Sequence, residues 1–207
     1  MPSQFDSALA TFAKNNGILR SSEARRQGIN PATLARMAQA GLLVRETRGV
    51  YRTAELPPLR DPDLTLVTLR APRGVICLIS ALYFHDLTTQ IPHQVYVALP
   101  RGHKAPHIAW PPAEFVWVRE PAYSAGIETH MFDDVPVHIY SAEKTVADCF
   151  KFRNTIGVDI AVEALKDYLR RPNSDMNKLT QYARENHVYT LMHPYIQGLL
   201  ALLLEVR

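Results

Sequence analysis

A chain of 207 residues has room for one or two domains. Its 47% hydrophobic and 21% charged content excludes a wholly disordered polymer and supplies enough apolar mass for a sizeable core. The formal charge of +3 conceals an uneven distribution: residues 1–53 hold eight Lys/Arg against three Asp/Glu, a net +5, and the rest hold 15 against 17, a net −2. A basic head on a slightly acidic body points to an anionic partner for the head.

The head reads as three helices followed by a hairpin. Phe5, Ala8, Leu9, Phe12 and Ala13 recur at helical spacing and form one apolar stripe, which ends near Asn16-Gly17, where Gly17 can take the left-handed conformation that stops a helix. Ile18-Leu19-Arg20 is a short strand. Ser21 and Ser22 are N-cap types, and Glu23 suits the positive start of a second helix running to about Gln27 and closed by Gly28. Asn30-Pro31 opens a third, with Asn as cap and Pro at the first helical position. Leu34, Met37 and Ala38 turn inward on it, Thr33 and Arg36 are expected on the outer face, and Gly41 ends it. Leu42-Leu43-Val44 begins a strand, Thr47-Arg48-Gly49 turns it, and Val50-Tyr51 returns, leaving Arg45, Arg48 and Arg52 to project.

That order is a winged helix-turn-helix, which sets its third helix in a DNA groove with a basic hairpin beside it. Thr33 can approach a thymine methyl or a base edge, and Arg36 can fork onto guanine. Arg25, Arg45, Arg48 and Arg52 are placed to hold phosphates. Winged helices also dock proteins, and scattered arginines can be a solvated face. The concentration of positive charge on the docking elements favours DNA.

Three prolines between Thr53 and Asp63 mark a short, stiff linker over residues 54–63. The body, 64–207, starts with a short helix opened by Asp61-Pro62. Val75–Leu87 reads as a broad apolar helix. Val95–Leu99 and Phe115–Val118 read as strands, and Ile127–Phe132 with Val135–Tyr140 as a hairpin around Asp133-Asp134. Ser141 caps a helix to about Arg153, and helices follow at roughly 158–170, 175–186 and 191–204, with Arg171-Pro172-Asn173 and His193-Pro194 between them. The expected fold class is α+β: an N-terminal winged helix-turn-helix, then a mixed α/β body ending in a helical bundle.

Catalytic patterns are missing. There is no P-loop or GxGxxG run, and Ser80 and Ser141 lack a nucleophile-elbow context. His103 and His107 are four apart but Pro106 lies between them. His130 and His138 can face each other across the hairpin, without a Cys or carboxylate to complete a metal set. No metal, cofactor or catalytic residue is therefore expected. Cys77 and Cys149 sit in apolar surroundings and read as buried, reduced thiols. The start of the chain, Met1 to Asp6, has no leader pattern and no run is long and apolar enough to span a bilayer, so a cytoplasmic protein without membrane contact is expected.

Three blocks in order resemble the AbiEi family, the antitoxin and repressor half of type IV toxin–antitoxin systems. They are the head with Gly41-Leu42-Leu43-Val44-Arg45 and Gly49-Val50-Tyr51, the segment Gly74 to Leu87 (GVICLISALYFHDL), and Ser141 to Phe150 (SAEKTVADCF). Ala142 and Lys144 stand where the family pattern often has Pro and Arg. The resemblance implies that the head binds double-stranded operator DNA at inverted repeats and represses its own operon. It also implies that the body neutralises a nucleotidyltransferase-like toxin. The expected protein is thus a non-catalytic regulator. Two readings stand beside it: a protein-interaction module acting mainly on a toxin partner, and a DNA-processing enzyme that uses the body.

Overall fold

The structure, a computed structural model, describes residues 4–205. Met1 to Ser3, part of the stretch read for a leader, and Val206, the end of the last apolar segment, lie outside the described residues. The chain is a mixed α and β protein that divides into two compact units. The first comprises residues 1–72 with 106–111 and 131–136, and the second comprises 73–105, 112–130 and 137–207.

The first unit opens with α1 (Gln4–Lys14), β1 (Ile18–Arg20), α2 (Ser21–Arg26) and α3 (Pro31–Gln39). It continues through the hairpin β2 (Leu43–Thr47) and β3 (Val50–Thr53) to α4 (Pro62–Arg70). Gly17 stops α1 with φ 75°, as a left-handed residue after a helix should. Asn30 caps α3 through the Ala32 amide at 2.9 Å, and Asp61 caps α4 through the Leu64 amide at 3.2 Å. The sheet has the order β1-β3-β2, antiparallel throughout, with a bulge between Arg45 and Thr47. Ala8, Phe12, Leu19, Ala24, Ile29, Leu34, Met37 and Leu43 form the core that ties the three helices to the sheet.

A five-stranded sheet of order β6-β5-β4-β8-β7 belongs to the second unit except at the tip of its β7–β8 hairpin, residues 131–136, which the first unit includes. Its strands are β4 (Val75–Ile76), β5 (Val95–Pro100), β6 (Ala113–Val118), β7 (Ile127–Phe132) and β8 (Val135–Tyr140). β5 and β6 run parallel, so the chain must travel back along the strand length between them, which it does through residues 101–112. The helices are α5 (Leu78–Phe84), α6 (Ala142–Lys151), α7 (Arg153–Ile156), α8 (Val158–Leu169), α9 (Met176–Glu185) and α10 (Tyr189–Glu205).

Two expectations are corrected here. Val75 and Ile76 form a strand, not the first turn of a helix, and α5 starts only after Cys77. They lie between β5 and β8 with both side chains buried, and an apolar run covered on both faces has no periodicity to separate strand from helix. His193-Pro194 does not end a helix, because α10 runs through Pro194. Met192 and Ile196, four apart on one face, are both buried and carry the helix across the bond that proline removes.

α6 is the buried axis of this unit, packed against α5, α8 and α9. Lys144 and Asp148, one turn apart, are both fully buried and pair through Nζ at 2.5 and 2.6 Å from the two carboxylate oxygens. Asn186 Nδ2 donates to the same carboxylate at 2.6 Å, and the ammonium lies 4.4 Å from the centre of the Tyr140 ring. Gly126 makes room for Lys144: a Cβ there would fall 2.8 Å from the lysine Cβ, and its φ of 70° also favours glycine. Cys77 and Cys149 are both buried, and desolvation pushes both thiols upward, away from the reactive thiolate form.

Removing one member of a buried ion pair strands the other. Asp148→Asn is therefore expected to destabilise the protein by about 3–5 kcal/mol, and Lys144→Met added to it should recover part of the loss. Urea unfolding of the single and double variants checks this, and a double variant as unstable as the single would show that the charge pairing is not what Asp148 supplies.

Candidate nucleic-acid interface

The basic side chains of the head are presented by α2, α3 and the β2–β3 hairpin, and hydrogen bonds join these elements. The Ser21 amide, at the start of α2, donates to the Gly49 carbonyl in the hairpin turn at 2.8 Å. Arg20 and Glu23 close the same helix start: the guanidinium donates to the carboxylate at 2.6 Å and holds its pKa below the usual carboxylate range. Arg70, from α4, donates through Nη1 to the Arg48 carbonyl at 2.9 Å and braces the turn from behind.

These contacts shape a concavity of about 390 Å³. Arg25, Arg45 and Arg48 line it with Ser21, Ser22 and Tyr51, and Pro31 and Leu34 from the first turns of α3 form its floor. No carboxylate lines it, and the first turn of α3 holds no acid. A helix start without an acid beside exposed guanidinium groups is suited to an anion such as phosphate.

Arg36 lies elsewhere, on the exposed side of α3 that faces α1. Its Nη2 donates to Gln4 Oε1 at 2.8 Å and to Thr33 Oγ1 at 3.4 Å, and its guanidinium sits 5.8 Å from the Phe5 ring centre. These partners are uncharged, so the arginine keeps its full charge. The exposed surface of α3 consists of Pro31, Ala32, Ala35, Arg36 and Gln39, a small and sparsely charged face.

Of the six residues selected from sequence, then, Arg25, Arg45 and Arg48 share one concavity and Arg36 stands apart on α3. The expected outward orientation of the other two is corrected. Thr33 is only 2% exposed, because it lies on the flank of α3 that packs inward, beneath Arg36. Arg52 is 7% exposed: its Nε pairs with Glu46 and its Nη1 donates to the Thr53 carbonyl at 3.2 Å and to that of Leu56. Alternation along β3 puts Arg52 on the same face as the buried Val50. The cradle also contains residues that the sequence showed in another role. Ser21 and Ser22 are legible only as caps; Arg70, which braces the hairpin turn without lining the concavity, lies too far along the chain for any local pattern to attach it there. Across β7 and β8, His138 meets Thr129 at 3.0 Å while His130 approaches Glu128 at 3.3 Å, so the two histidines do not face one another.

No curated protein matches the chain in sequence. In three dimensions it is similar to the RV2827C protein from Mycobacterium tuberculosis, known from a crystal structure, with a TM-score of 0.53 and 15% identity over 97% of this chain and 82% of that one. A likeness at that identity concerns the fold. Residues 7–54 match the family described as "Transcriptional regulator, AbiEi antitoxin", a span that begins in α1 and ends just past β3. Over that span, the chain is similar to the AbiEi antitoxin regulators.

Proposed function

We propose that residues 1–53 are a winged helix-turn-helix that binds duplex DNA, and that the protein is a non-catalytic cytoplasmic regulator repressing its own operon by occupying an operator. The observation that carries this reading is the carboxylate-free concavity of Arg25, Arg45 and Arg48 at the start of α3, within the span matched by a family of transcriptional regulators. Residues 54–63 serve as the linker, and residues 64–207 form the antitoxin-like domain that neutralises a nucleotidyltransferase-like toxin. The exposed Tyr195, Leu200 and Leu202 of α10 favour a second role of this kind, as a surface for a protein partner. Co-purification with the product of the neighbouring gene tests that role.

Arg25, Arg45 and Arg48 grip phosphates in this scheme, and the small outer face of α3 enters the major groove. Arg36 exchanges Gln4 for a base edge, and since its present partners are neutral the exchange breaks no ion pair. Thr33 orients Arg36 from below, and Arg52 fixes the base of the wing.

Titration of the full chain with a labelled duplex from upstream of its own gene, over a salt series, tests the proposal. No binding, or binding without salt dependence, would overturn it. Arg48→Ala should lower the slope of log affinity against log salt by about one unit, the share of a single phosphate contact. Arg36→Ala should cost about 1–3 kcal/mol and relax base preference at one position, as loss of a bidentate guanine contact does; unchanged preference would remove Arg36 from base reading. Arg52→Ala should act on the fold instead, costing about 1.5–3 kcal/mol for its charged hydrogen bonds. A changed salt slope in a folded Arg52→Ala protein would restore a direct phosphate contact to that residue.

A further inference from the structure

The crossover between β5 and β6 contributes residues 106–111, the sequence PHIAWP, to the first unit. Two of its carbonyls are fastened there. Thr47 Oγ1, on β2 of the hairpin, donates to the Trp110 carbonyl at 2.9 Å. Arg70 Nη2 donates to the His107 carbonyl at 2.9 Å while Nη1 of the same guanidinium donates to the Arg48 carbonyl at 2.9 Å. One arginine thus holds the turn of the hairpin and the crossover segment together, and the threonine provides a second point of attachment.

With the backbone pinned at both places, the side chains of His107 and Trp110 remain outside, and Trp110 is 60% exposed. A lone exposed apolar residue is ordinary on a protein surface. Trp110 differs in that its backbone is fastened to the hairpin that carries Arg45 and Arg48. The segment also contains no acid, and Arg70 makes no ion pair among the described residues, so its charge adds to that of the exposed arginines. A flat ring with one N–H donor, set in a positive field, can lie against a deoxyribose and donate to its phosphate.

We propose that residues 106–111 are a second arm of the DNA-contacting surface, in which Trp110 and His107 lie against the sugar–phosphate backbone next to the turn that carries Arg48. This rests on the reading of the head as a DNA-binding module. Trp110 makes the contact, and Arg70 is a positioning residue that sets the arm against the hairpin.

Fluorescence anisotropy with the full chain and the labelled upstream duplex tests the arm, with circular dichroism confirming that each variant is folded. Trp110→Ala should weaken binding roughly fivefold or more, the scale of one hydrogen bond to a phosphate. Arg70→Ala should weaken it as well, but by less in the Trp110→Ala background, because residues that act through one another are not additive. In a Trp117→Phe background, DNA should change the emission of Trp110. Wild-type affinity for Trp110→Ala together with unchanged Trp110 emission, while Arg48→Ala is impaired, would overturn the arm and leave the DNA-binding head standing. Equal effects of Arg70→Ala with and without Trp110 would overturn the positioning role. Absence of binding by the unaltered chain would remove the arm together with the reading beneath it.

Discussion

A buried guanidinium holds the hairpin whose other guanidinium groups reach solvent. Arg52 joins the carboxylate of Glu46 on β2 to the carbonyls of Thr53, the last residue of β3, and of Leu56 beyond it, so the base of the hairpin and the start of the following segment close on one cation. A charge buried in this way is tolerable only because it is paired and hydrogen-bonded. The pairing also consumes an acid. With Glu46 committed to Arg52 and Glu23 committed to Arg20, neither can neutralise Arg25, Arg45 or Arg48. The basic character of the concavity therefore depends on where two carboxylates go as much as on how many arginines the head contains.

The same economy of charge marks the bracing residues. Arg70 donates to main-chain carbonyls and Arg36 to an amide and a hydroxyl. Neutral acceptors fix a guanidinium in space without cancelling its charge. The concavity lined by Arg25, Arg45 and Arg48 thus combines defined side-chain geometry with guanidinium groups that no lining carboxylate offsets.

Local signals in the head were strong, and the elements there follow them closely. Asn30-Pro31 starts α3, Gly17 stops α1, and Gly49 lies at φ 81° in the hairpin turn. In the body, Asp133 and Asp134 turn the β7–β8 hairpin, both at positive φ. The candidate interface is legible to the extent that charge clusters on α2 and on the hairpin. Its failures share a cause: the face a residue occupies depends on what packs against it. Helical spacing alone points Thr33 outward, but three helices around a small core bury more than one stripe of α3. Charge alone points Arg52 outward, but it lies two residues from the buried Val50 in a strand and shares its face. In the body, no local pattern marks Lys144 and Asp148 as a buried pair. That both lie inside the protein follows only from α5, α8 and α9 surrounding α6, and from Gly126 and Asn186, which approach from distant parts of the chain.

The parallel pairing of β5 and β6 has a consequence for how this molecule can vary. Antiparallel neighbours can be joined by two residues, whereas parallel ones demand a return path as long as the strands themselves. Residues 101–112 are that path, so deletions within them would pull the two strands out of register. Insertions outside its fastened stretch, 106–111, would leave both the sheet and those attachments untouched and lengthen the excursion. This connection is accordingly the place where such a scaffold can acquire new surface chemistry at little cost to its own integrity.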